Sequence, residues 1–539
     1  MHQVTFTLNG KRTTVPYEPG MHFLEVLREE CGITSPKDGC APQGYCGCCA
    51  VLVDGQPALS CLRKPEQMEG REVLTLEGLP EEQRQVLAQA FVKEGAIQGG
   101  FCIPGIIVRA ASLLNRGCAQ DGGAVAKALS GHLCRCTGYS RIIDAILTAG
   151  EAWSNGGKFL RCEPRRPHFF GEEFGLSRTS ALSPRAGGHG VGHCSARYRG
   201  DEHAWGEKPY VADMRVDGML HGAVVLSAHP RAKLLRIDTA PALARPGVVR
   251  VFTAEDVPGQ RNVGLILPDW PVFVGPGETV RYVGDVLALV VADTVFHARK
   301  GAEAVGVDYE VLEPVPDPVA ALEPGAPKVH DSGNLLEVAA FSRGDVDAAL
   351  AASTHVIEQT FTTQRIEHAY LEPEACLALP SGDGIKVYSQ GQGVHDDQPQ
   401  FATVLGAEPA TVDVELASNG GAFGGKEDLS IQAHTALAAW LLRRPVRTVL
   451  TREQSMRMHP KRHPITLHYT LGADAEGRVQ AVRARLVGDT GAYASVGTKV
   501  LERAAGHSCG PYRVPNVDIE AKTVYTNNPP CGAMRGFGA

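Results

Sequence analysis

The chain has 539 residues, is 43% apolar and 21% charged, and carries a net charge of −7, with 53 Lys and Arg against 60 Asp and Glu. That length accommodates roughly three to four globular domains, and the composition excludes a mostly disordered chain. The acidic balance and the 6% aromatic content argue against nucleic acid or an anionic membrane surface as a partner.

Residues 4 to 17 alternate apolar and polar and break at Asn9-Gly10, the dipeptide of a two-residue hairpin turn, because both central positions take positive φ. An amphipathic stretch from about His22 to Glu30 leads to a Gly/Cys-rich loop, Gly39 to Cys49, and then to the strand-like Ala50 to Val53. Residues 1–78 therefore read as a small mixed β domain around a cysteine loop. Helical spacing follows over 79–153, in Val86 and Phe91, in Ile106, Ile107, Leu113 and Leu114, and in Ile142, Ile143 and Ile146. Residues 154–195 show no sustained period and read as a linker. Short β-rich runs alternate with helical pieces across 196–318, and a second mixed region fills 319–539. The longest apolar stretch, near Val286 to Ala292, is far short of the roughly 20 residues that span a bilayer. The N-terminus has neither the basic start nor the apolar core of an export signal, so a cytoplasmic, thiol-reducing setting is expected.

Ten of the 15 cysteines lie between Cys31 and Cys136, and in a reduced compartment such crowding points to metal rather than disulfides. Cys40, Cys46, Cys49 and Cys61 are spaced C-x5-C-x2-C-x11-C on a glycine-rich loop. Plant-type [2Fe–2S] clusters use C-x4-C-x2-C plus one remote cysteine. Structural zinc is the competing chemistry; a crowded loop with one remote ligand favours iron–sulfur, and leaves Cys48 spare. A second group comprises Gln98-Gly99-Gly100-Phe101-Cys102-Ile103-Pro104-Gly105 and Gly131-His132-Leu133-Cys134-Arg135-Cys136-Thr137-Gly138-Tyr139.

In this order and context the two groups resemble the paired [2Fe–2S] domains of the molybdenum hydroxylases, the xanthine dehydrogenase/aldehyde oxidase family. The family's first segment reads Q-C-G-F-C-x-P-G, whereas this chain has Gly99 at the first cysteine. Cys102, Cys134 and Cys136 then supply three ligands of four. The second cluster is left absent, labile, or completed by another group such as Cys118. By the same resemblance Gln98 hydrogen-bonds the pterin.

Downstream, a strand over Thr411 to Ser418, the loop Asn419-Gly420-Gly421-Ala422-Phe423-Gly424-Gly425-Lys426-Glu427 and a helix over Leu429 to Leu442 form an arrangement suited to holding an anion. The spacing matches a nucleotide P-loop, but Glu427 stands where that motif needs Ser or Thr for Mg²⁺. The loop also resembles the family's G-G-x-F-G-G-K-E segment. It is flanked in family order by Glu367-His368-Ala369-Tyr370-Leu371-Glu372-Pro373, Gln392-Gly393, Leu501-Glu502-Arg503-Ala504 and Thr526-Asn527-Asn528-Pro529-Pro530, which runs into Gly532-Ala533-Met534-Arg535-Gly536-Phe537-Gly538. Gly218 to Gly222 and Tyr282 to Asp285 are similar to the hammerhead domain.

The resemblance implies an α+β multidomain fold: a β-grasp ferredoxin-like domain, a helical [2Fe–2S] bundle, an α/β hammerhead domain and part of an α+β molybdopterin-binding domain. It also implies molybdenum-molybdopterin as cofactor. Gln392, Phe423, Gly424 and Arg535 would contact that cofactor, Glu427 and Arg503 would orient the substrate and stabilise charge on it, and Phe423 and Phe537 would offer aromatic faces. Purine-directed members carry Glu and Arg at those two positions, which directs the expectation to xanthine or hypoxanthine, hydroxylated with water as oxygen source. Aldehyde or other N-heterocycle oxidation is the alternative, as is an incomplete chain acting only in electron transfer. His368 has no second ligand at metal spacing and reads as structural. About 40 residues between the cluster domains and the hammerhead are too few for a flavin domain, since a domain needs at least roughly 50; electrons would leave to a separate flavin subunit or another acceptor. The family's base glutamate would lie beyond Ala539, on a longer product or a second chain, in an oligomeric assembly.

Overall fold

The computed structural model describes residues 2–119, 121–156 and 197–539, so most of the expected linker, 154–195, lies outside the described residues. The chain divides into two units, one of residues 1–213, 370–372 and 418–421, the other of the remainder.

In the first unit the N-terminal hairpin pairs His2–Leu8 with Lys11–Tyr17, and Leu8 faces Lys11 across the turn. Asn9 and Gly10 sit at φ 50° and 81°, as that turn requires. The two strands join a five-stranded sheet with Glu72–Leu74, Ala50–Val53 and Gln56–Leu59. Val4, Phe6, Phe23, Val51 and Val73 form its core, with the Phe6 and Phe23 rings edge to face at 5.2 Å. Four helices follow, Glu81–Lys93, Ile103–Asn115, Gly122–Ala128 and Ser140–Ser154. The apolar positions expected from the helical spacing are buried together, apart from the half-buried Ile143. Asp213 binds Arg28 at 2.8 Å and Lys37 at 2.5 Å, all three buried. Removing one member would strand buried charge.

The second unit is built on a seven-stranded sheet in the order Val412–Leu416, Gly384–Ser389, Ala375–Ser381, Val446–Val449, Leu220–Leu226, Val286–Ala292, Val248–Phe252. Every residue of Val286–Ala292 is buried, which explains its continuous apolar run: a strand with partners on both edges and cover on both faces needs no polar alternation. Leu220–Leu226 pairs in parallel with Val446–Val449, so one sheet draws strands from both mixed regions. A three-stranded sheet of Thr279–Val280, Ala232–Asp238 and Gly306–Val311 and a five-stranded sheet of Leu335–Arg343, Asn516–Tyr525, Val479–Gly491, Ile465–Ala473 and His355–Thr362 also belong to this unit. No helix among the described residues is long and apolar enough to cross a membrane.

Candidate functional site

The first thiol set is buried throughout: Cys40, Cys46, Cys49 and Cys61. The backbone N–H groups of Tyr45 and Cys46 both donate to Cys40 Sγ at 3.2 Å, as a glycine-rich loop permits and cluster thiolates require. Cys46 Sγ is tied to Cys40 and Cys48, and Cys49 to Cys61. Four convergent thiols fit a [2Fe–2S] cluster. In the helical half, hydrogen bonds from Cys102 and then Cys136 pull the Cys134 thiol well below its usual value, and Thr137 Oγ1 lies 3.1 Å from Cys134 Sγ. Gly99 brings no thiol; its carbonyl accepts from Tyr210 Oη at 2.7 Å. Gln98 is exposed beside it.

In the second unit the strand ahead of the glycine loop runs Val412–Leu416 and the helix after it Gln432–Leu442. The loop thus ends five residues before the helix, and Lys426 is buried, with Nζ donating to Gln390 Oε1. A lysine spent in this way does not serve a phosphate, which removes the P-loop reading. Gln392, just beyond Gly384–Ser389, organises the loop instead. Its Oε1 accepts from Gly424 N at 2.9 Å and Lys426 N at 3.4 Å, its own N–H donates to Lys426 O at 2.9 Å, and Nε2 lies 3.5 Å from Glu427 Oε1. Phe423 takes φ 56°, an uncommon conformation for a non-glycine residue and one found at functional loops. Gly424 has φ 101°, and a Cβ there would lie 2.5 Å from Ala533 O. Arg535 N donates to Phe423 O at 2.8 Å, with its guanidinium 5.6 Å from the Phe423 ring centre.

Burial first, then Asp396, lifts the Glu427 carboxyl above its ordinary range. Arg503 lies on the exposed face of the helix Gly497–His507, its guanidinium 4.6 Å from the Phe537 ring centre. Among the described residues no ion pair joins Glu427 to Arg503. The structure thus brings Gln392 and Arg535 from other segments onto the loop of Phe423, Gly424 and Glu427, and stacks Arg503 on Phe537. Arg535 and Phe537 line a cavity of about 640 Å³, within the range of small-molecule sites.

Sequence reasoning missed a buried network behind the site. Glu367 binds His459 at 2.6 Å and Lys461 at 2.7 Å, and His459 also reaches Glu374 at 3.3 Å. Burial opposes charge on Glu367, but His459 and Lys461 hold it well below the usual carboxylate range. The Glu367, His368 and His459 ligand atoms lie within 4.8 Å of one another; the ammonium already bound to Glu367 makes this an ion network rather than a cation site. His368 donates through Nε2 to Ala533 O at 2.7 Å, in keeping with a structural role. No local signal marks Glu367 and His459 as neighbours, since 92 positions separate them.

Comparison with known proteins agrees with this architecture. The family description "2Fe-2S iron-sulfur cluster binding domain" matches residues 6–76, "[2Fe-2S] binding domain" 75–147, "Aldehyde oxidase and xanthine dehydrogenase, a/b hammerhead domain" 205–313, and "Molybdopterin cofactor-binding domain" 329–539. The nicotinate dehydrogenase large molybdopterin subunit of Eubacterium barkeri is 39% identical over 338 residues, 62% of this chain and 79% of that one. A probable xanthine dehydrogenase subunit of Bacillus subtilis (strain 168) is 40% identical over 334 residues, 62% of this chain and 45% of that one. The solved aldehyde oxidoreductase from Desulfovibrio gigas superposes with a TM-score of 0.86 at 29% identity, over 100% of this chain and 59% of that one.

The fold and the thiol sets define an iron–sulfur protein with a molybdopterin-binding region. The chain belongs to the xanthine dehydrogenase/aldehyde oxidase family of molybdenum hydroxylases, with two [2Fe–2S]-binding domains fused ahead of the hammerhead and molybdopterin-binding domains and no flavin domain between them. It spans 45% of the Bacillus relative and 59% of the solved oxidoreductase.

Proposed function

We propose that this chain serves a molybdenum hydroxylase that oxidises a purine-type heterocycle, xanthine or hypoxanthine, with water as oxygen source and the iron–sulfur clusters as electron exit. The observation that carries the reading is the placement of Glu427 on the Gln392 loop, with Arg503 stacked on Phe537 as a second, cationic group. In this reading 1–78 and 79–153 are the cluster domains, 154–195 a linker, 196–318 the hammerhead and 319–539 part of the molybdopterin-binding domain.

Gln392, Phe423, Gly424 and Arg535 would hold the cofactor, which would supply the oxygen-transfer and two-electron chemistry when bound. The remaining work belongs to side chains. Glu427, with its carboxyl lifted toward the proton-bearing form, hydrogen-bonds a ring nitrogen. Arg503 stabilises negative charge that develops on the ring, and Phe423 and Phe537 hold the flat substrate face on. Electrons leave to a separate flavin subunit or another acceptor, and the assembly is an oligomer in the cytoplasm. The relationship to a nicotinate dehydrogenase subunit supports a second reading, another N-heterocycle such as nicotinate.

A substrate panel separates them. The purine reading expects kcat/KM for xanthine or hypoxanthine to exceed that for nicotinate and for simple aldehydes, and the reverse order overturns it.

A further inference from the structure

The second thiol set is one ligand short, because a [2Fe–2S] cluster takes four and Cys102, Cys134 and Cys136 are three. Gly99 adds none, and a Cβ there would already meet Gly420 C and Gly421 N at 3.2 Å. Cys118 is exposed, its Sγ 3.5 Å from Arg116 O. It also lies beyond the far end of the helix Ile103–Asn115 that Cys102 caps, roughly 20 Å away along a helix of that length. His132 is turned to the first domain, its Nδ1 2.5 Å from where a Gly47 Cβ would be.

Cys48 stands differently. It is 1% exposed, and the first set has four thiols without it. The Gly47–Cys48 segment lies directly on Gly105, in the first turn of the helix that Cys102 caps: a Cβ at Gly105 would fall 2.5 Å from Gly47 O and 3.0 Å from Cys48 Cα. Two residues earlier Cys46 O accepts from Leu133 N at 2.9 Å, next to Cys134. The Cys46–Cys48 segment is therefore pinned against both segments that carry the second set. Cys48 Sγ lies 3.8 Å from Cys46 O, the same oxygen that accepts from Leu133 N.

We infer that Cys48 completes the second [2Fe–2S] site, so that its ligands are Cys48, Cys102, Cys134 and Cys136. The cluster then bridges the two halves of the N-terminal unit, and Cys48 gives up its thiol proton when iron binds. The inference concerns iron and is independent of the substrate.

The test is an iron count and low-temperature EPR of the reduced full-length chain. Wild type is expected to hold about four irons in two distinguishable signals, and Cys48→Ala about two irons with one signal lost. Cys118→Ala is expected to keep both. Restoring a thiol with Gly99→Cys in the Cys48→Ala background is expected to bring back the missing iron and signal. Full iron in Cys48→Ala, or a wild type with one cluster, would each overturn the inference. So would a Cys48→Ala chain that loses all its iron, because the first set keeps its four thiols.

Discussion

The side-chain oxygen of Gln392 accepts the backbone N–H of Gly424 at 2.9 Å, and this contact sets the shape of the glycine loop. The same oxygen also faces Lys426 N, so a single amide stands in for the helix or strand partners that the loop lacks. Truncation in Gln392→Ala leaves those N–H groups without their acceptor at a cost of about 1–3 kcal/mol. The expected result is a lower thermal midpoint together with reduced molybdenum retention.

Glu427 and Arg503 are tested as a functional pair. Arg503 is exposed and Glu427 half-buried, so Glu427→Gln and Arg503→Gln should each leave stability within about 0.5 kcal/mol. If they stabilise charge in the transition state, each should lower kcat by roughly 10²- to 10³-fold with a smaller change in KM. Steady-state kinetics on xanthine beside thermal melts checks this, and a loss confined to KM would reduce them to uniform binding.

Glu367 links His459 and Lys461 within the buried network. Glu367→Gln removes the countercharge from both and is expected to cost about 3–5 kcal/mol. The folded carboxyl titrates below its ordinary value. Its contribution is therefore complete above the unfolded pKa and is lost as pH falls through the depressed folded value. Melts from pH 3 to 7 should show an acid limb in wild type that is shallower in the variant.

Asp397 works in the opposite sense. Burial pushes its carboxyl up to about 7, against a hydrogen bond from Ser389. Between the unfolded value of about 4 and that folded value the native state holds a proton that the unfolded chain has lost. Its contribution to stability therefore falls as pH rises across that window. Asp397→Asn should flatten the slope between pH 4 and 7, measured by denaturant unfolding at a series of pH values.

Much of this was legible locally. The Asn9-Gly10 hairpin, the buried run Val286 to Ala292 and the helical apolar positions follow from turn chemistry and periodicity alone. What the sequence leaves hidden depends on partners far along the chain. Lys426 looks anion-directed until Gln390 is found beside it, and the helix begins at Gln432 rather than Leu429. Glu367 and His459 meet only through the fold. Cys48 reads as spare because spacing along the loop says nothing of Gly105 packed against it. Pairing of Leu220–Leu226 with Val446–Val449 is likewise invisible to any local window.

The most direct measurement is isotope incorporation by the holoenzyme purified with whatever chains accompany it. Turnover of xanthine or hypoxanthine in H₂¹⁸O should place one water-derived oxygen in each product molecule. A molybdenum-loaded preparation that leaves both purines unchanged, or forms product without the label, would contradict the account.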